Sequence, residues 1–145
     1  MNTNNINNVN TSALPVVGRI LMAAIFVMSG VGKLMAPAAT IGYIQAMGLP
    51  LASAGLVAAI VVELGGGLLL ALGYKTRLVA LILAAFSVVT GLVFHSAIGD
   101  QNQMIHLMKN LAMAGGLLQV VAFAAGAYSL DAKALAGASV GRATA

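Results

Sequence analysis

The chain has 145 residues, 61% of them hydrophobic and only 7% charged, with a formal net charge of +4. A soluble domain carries about a quarter charged residues, so a water-facing globular surface is excluded and lipid must replace most of the solvent. The seven Lys and Arg residues are scattered, without the cluster or stripe that tracks phosphates, which excludes nucleic-acid binding. The absence of cysteine excludes disulfides, thiol redox chemistry, cysteine-ligated zinc and covalent haem attachment by this chain.

Residues 1–13 open as MNTNNINNVNTS, which predicts a disordered tail. Arg19 ahead of an apolar run is compatible with a cleaved leader. Lys33, however, closes that run without a small-residue cleavage site, and an uncleaved first helix is expected. Apolar segments then span about residues 14–35, 51–72, 78–98 and 105–127. Each approaches the ~20 residues needed to cross a ~30 Å hydrocarbon core. Lipid supplies no hydrogen bonds to a backbone, so these segments must be helical. The fold class is therefore all-α: a membrane-embedded four-helix bundle over 14–127, with a short cytoplasmic tail at 128–145.

The connections agree with this. Pro37 ends the first span, and Ile41, Ile44 and Met47 then recur with Tyr43 and Gln45 between them, which predicts a short interfacial helix closed by Gly48 and Pro50. Residues 73–77 form a basic turn and residues 99–103 a polar one. With four spans, Arg19, Lys75, Arg77, Lys133 and Arg142 share one side and Lys33 and Lys109 the other. The excess of cations on the first side predicts that both termini are cytoplasmic.

Polar groups inside the spans carry the functional expectation, because ionisable residues in a membrane are costly and face the bundle interior or water. Arg19, Met22, Phe26, Ser29 and Lys33 fall on one helical stripe. Both cations of that stripe could equally be snorkelling to the two interfaces. Glu63 sits mid-span, where snorkelling is hard, and needs a partner, a proton or water. The depth estimated from helix rise makes Arg19 its expected partner, with Lys109 as the rival. Gly65, Gly66 and Gly67 follow it and permit close helix approach. His95, His106, Lys109 and Asn110 gather at the outward end, where Asp100, Gln101 and Gln103 complete a polar funnel towards Glu63. A metal site is not expected, since the two histidines have no third ligand in view.

Several stretches together resemble the DoxX family of small bacterial and archaeal membrane proteins. They are Gly18-Arg19-Ile20-Leu21, Phe26-x-x-Ser29-Gly30-x-Gly32-Lys33-Leu34, Gly48-Leu49-Pro50, Glu63-Leu64-Gly65-Gly66-Gly67, Leu72-Gly73, His106-x-x-Lys109-Asn110-Leu111, Gly115-Gly116 and Ser129-Leu130-Asp131. The resemblance implies a four-helix domain in the inner membrane. It also implies kinship with subunits of thiosulfate:quinone oxidoreductase and with partners in membrane redox complexes. It carries over no catalytic set. Three functions stay open: a membrane subunit of a redox system, itself non-catalytic or binding a quinone; a small transporter or proton path; and an anchor or assembly factor. A redox-enzyme partner fits the first, homo-oligomerisation fits all three, and Arg19, Lys33, Glu63, His95, His106, Lys109 and Asn110 are the candidate pocket.

Overall fold

The structure, a computed structural model, describes residues 13–143. Nearly all of the expected amino-terminal tail, residues 1–12, lies outside that range. Six helices follow one another. They are α1 (Leu14–Met35), α2 (Pro37–Ala46), α3 (Ala52–Leu72), α4 (Thr76–Phe94), α5 (Gln101–Phe123) and α6 (Leu130–Ala143), and no strand occurs among the described residues. The helices α1, α3, α4 and α5 are long and apolar enough to cross a membrane. They run antiparallel in chain order, so the start of α1, the α3–α4 turn and the end of α5 share what we call the terminal end of the bundle.

The boundaries of the spans follow from backbone chemistry more than from hydropathy. The fourth span begins at Gln101, four residues ahead of its apolar run, because the Asp100 side chain accepts the Gln103 N–H at 2.9 Å and caps the helix. It ends at Phe123, where Ala124 turns to φ +65°. The ten-residue α2, too short to span, starts with Pro37 at its first turn. It lays Ile44 on Ala52 and Leu56 at the head of α3, with Ile41, Leu49 and Phe94 around them.

Close approach of α1 and α3 sets the register of the bundle. A Cβ at Gly30 would come within 2.6 Å of Leu64 Cγ, and one at Gly67 within 2.9 Å of Val27 Cγ2 and 3.3 Å of the Ala23 carbonyl. Small residues let membrane helices pack backbone to backbone, which is where most of their association energy arises. Below this contact Ala23, Phe26, Leu70, Ala80, Leu83 and Leu117 form a dry core from all four spans.

The terminal end is tied by polar groups. Arg19 is 2% exposed, and its Nη2 donates to the Tyr128 carbonyl at 2.7 Å. Asp131, on the first turn of α6, accepts the backbone N–H groups of Lys75 (2.7 Å) and Thr76 (2.9 Å), capping α4 from a distance in sequence. Its own N–H donates to the Gly73 carbonyl at 2.9 Å. The segment after residue 128 is thus a docked helix.

Burial pushes the Asp131 carboxyl up, but the hydrogen bonds from Thr76 and Lys75 and the charge of Arg19 outweigh it and hold the group below its ordinary value. A depressed carboxyl contributes stability that is full above the unfolded-state pKa and is lost as pH falls through the lower folded-state value. Amide exchange of residues 130–138 is therefore expected to stay slow from neutrality down to the ordinary carboxylate range and to speed up only below it. Asp131→Asn should cost about 1 kcal/mol, as the loss of a helix cap does, and abolish that acid-dependent step.

Candidate functional site

One cavity of about 800 Å³ opens at the end of the bundle opposite the termini. Its floor is an ion pair. Lys33 Nζ donates to Glu63 Oε1 at 2.9 Å, to Glu63 Oε2 at 2.8 Å and to Ser29 Oγ at 2.8 Å. Ser29 in turn donates to Glu63 Oε1 at 3.2 Å. The three protons of the ammonium are thereby all placed. The Glu63 side chain is 7% exposed and that of Lys33 23%.

Local winding presents Glu63 to this pair. Residues Val61–Gly65 form a π-turn inside α3. Such a wide turn inserts one extra residue into the helix and is frequent at functional sites. The Gly30–Leu64 contact brings the Ser29–Lys33 turn of α1 alongside it.

This overturns the expected pairing. Arg19 is not the partner of Glu63. It lies beside Gly73, just past the end of α3 and ten residues on from Glu63, or ~15 Å at helical rise. The depth estimate failed because it took no account of the offset fixed by glycine packing between α1 and α3. Lys109 is not the partner either, and its ammonium makes no hydrogen bond or ion pair among the described residues.

The other expected residues surround the cavity. The rings of His95 and His106 stack with centroids 4.9 Å apart at 21°. The Nδ1 atom of His95 is 2.8 Å from Gln103 Oε1. Asn110 donates through Nδ2 to the His106 carbonyl at 3.0 Å, leaving its carboxamide oxygen unengaged among the described residues. Lys33, Glu63, His95, His106, Lys109 and Asn110 all line the cavity, while Arg19, Asp100, Gln101 and Gln103 do not.

Two contributors lay outside the expected candidate pocket. Ser29, which the sequence places on the Lys33 stripe, bridges the ion pair. Tyr43 of α2 stacks on Phe94 with centroids 5.5 Å apart and donates to the Phe94 carbonyl at 3.4 Å, making an aromatic wall. No local pattern marks that pair, because it joins residues 51 apart. Among the described residues no three His, Asp or Glu side chains come together as metal ligands do.

Chemically the cavity is amphipathic. Phe26, Ile44, Phe86, Val93 and Phe94 give it apolar walls, the floor is the Lys33–Glu63 ion pair, and Lys109 and the two histidines add polar groups to the lining. Beneath it the dry core closes the bundle, with Ala80, Leu83 and Leu117 at 0% exposure, so the cavity ends blind.

The DoxX family model matches residues 14–96. The chain is 41% identical over 115 residues to the inner membrane protein YqjF of Escherichia coli, covering 79% of this chain and 87% of that protein. It is 30% identical over 125 residues to the inner membrane protein YphA of the same organism, covering 81% and 88%. No solved structure matches the chain.

Proposed function

The chain belongs to the DoxX family of integral membrane proteins, and from that premise we propose that it is the membrane subunit of a redox system whose blind cavity holds a quinone. The single observation that carries this is the joining of an apolar slot to a Lys33–Glu63–Ser29 unit at its floor, whose carboxylate is buried. A quinone is a flat apolar ring with two acceptor oxygens. Lys109 and His106 offer donors at the mouth, and the ion pair can give or take the proton that accompanies reduction. Electrons come from a partner enzyme, since this chain carries no thiol. The Lys and Arg distribution supports both termini on the cytoplasmic side of the inner membrane.

A transporter or proton path, motivated by the buried Glu63, stands second, because a blind cavity suits retention better than passage. The anchor role stands third, because it gives the amphipathic cavity no task. Protein purified in mild detergent is expected to carry quinone or a redox enzyme detectable by mass spectrometry, and Glu63→Gln to carry less. Lys109→Met should weaken binding of a short-chain quinone about tenfold, as loss of one charged hydrogen bond does. A wild-type chain that takes up no quinone under any of these conditions would remove the redox proposal and return attention to proteoliposome flux.

A further inference from the structure

Both cavities of note lie along the same seam, between α1 and α5. The polar cavity is bounded there by Ser29 and Gly32 on α1 and by Lys109 and Met113 on α5. A second crevice of about 280 Å³ continues the seam towards the terminal end, lined by Pro15, Gly18 and Met22 on one side and Gly116, Val120 and Phe123 on the other. Their linings lie one turn apart on both helices, Phe26 and Met22 on α1 and Met113 and Gly116 on α5, and the Met22 sulfur there would lie 3.2 Å from a Cβ on Gly116. Methionine is unbranched and adaptable, and it can yield such a constriction. Arg19 borders the crevice, with its guanidinium turned away to Tyr128 and Gly73.

We propose that this crevice is a hydrocarbon-chain subsite, so that the ligand of the polar cavity is a lipid-borne molecule entering sideways from the bilayer. Its ring sits against the Lys33–Glu63 floor and its chain lies between α1 and α5, passing over Gly116. The inference rests on the cavity holding a ring-headed ligand, as proposed above. Three features select a chain as the occupant. The crevice follows the polar cavity along the same two helices, with the adaptable Met22 side chain between them. It runs from Gly116 to Phe123 along α5, seven residues on or ~10 Å of helix, which is a length and not a spot. Its volume is far too small for a partner helix, which is about 10–12 Å across.

The test uses the full chain in nanodiscs with a decyl benzoquinone bearing a diazirine at the chain end. Irradiation of the wild type is expected to label peptides holding Val120–Phe123 or Pro15–Met22, and excess unlabelled decyl quinone to compete the label away. Gly116→Leu fills the constriction. It should cut this labelling at least about fivefold while leaving the affinity for the same ring carrying a methyl group unchanged. Gly115→Leu is the matched control, because a Cβ there meets nothing within 4 Å, and it should label as the wild type does. Competed labelling on other helices, with both quinones bound, would overturn the chain subsite and leave the ligand proposal standing. Failure of both the methyl and decyl quinones to bind would overturn the two together. Should Gly116→Leu not fold, the map of labels on the wild type decides alone.

Discussion

Lys33→Met is expected to destabilise the bundle by about 3 kcal/mol, whereas Lys33→Met/Glu63→Leu should stay within about 1 kcal/mol of the wild type. The single change strands a carboxylate that is 5% exposed. Breaking a buried ion pair from one side typically costs 3–5 kcal/mol, while replacing both partners by apolar groups is often neutral. The lower end applies because the Lys33 side chain keeps 23% of its exposure, and Glu63 can escape part of the penalty by taking a proton. Unfolding in mixed detergent micelles, followed by circular dichroism, measures all three stabilities. A single variant as stable as the wild type would mean that water reaches Glu63 freely. The comparison also separates fold from function. Glu63→Gln keeps an acceptor for Lys33 and Ser29, so its stability loss should be smaller than that of Lys33→Met even where its ligand binding is lost.

Gly73→Ala is expected to cost about 3 kcal/mol, more than any other glycine-to-alanine change among the described residues. Gly73 adopts φ +68°, and a Cβ there would collide with Arg19 Nη1 and come within 2.6 Å of Ser129 Cβ. A left-handed backbone costs an L-residue about 1–2 kcal/mol, and overpacking a filled site costs about 1–3 more. The collision cannot be relieved cheaply. Moving Arg19 breaks its bond to Tyr128, and moving Ser129 shifts Asp131 off the α4 cap. Gly65→Ala, where a Cβ meets nothing within 4 Å, is the control and should be near neutral. Melting temperatures of the two variants, read against the wild type, provide the check.

The four spans were legible because lipid imposes one answer on a 20-residue apolar run: the backbone must satisfy itself. The short α2 was legible from Pro37, Gly48 and the apolar spacing between them. The site was legible as a set of residues and not as a set of bonds. His95, His106, Lys109 and Asn110 announce themselves by being polar at one end of a membrane bundle. Which cation meets Glu63 depends on an axial offset between α1 and α3 of about two turns. That offset is set by where Gly30 and Gly67 admit a neighbour, and glycines occur too often here for the sequence to mark those two. The π-turn at Val61–Gly65 is likewise a product of packing, with no signature in residue type. Arg19 and Asp131 belong to one cluster although 112 positions separate them, and hydropathy cannot register a tie of that kind.

That tie has a bearing on how the protein is made. The guanidinium on the first of these four spans finds its acceptor on a carbonyl 109 residues later. The cap of α4 is likewise supplied by Asp131, long after α4 itself has been synthesised. The nascent bundle therefore carries an unpaired cation and a frayed third span until residues 128–131 have been made. Insertion of the four spans and completion of the bundle are consequently separate events, and the segment at residues 128–131 is the fastener between them.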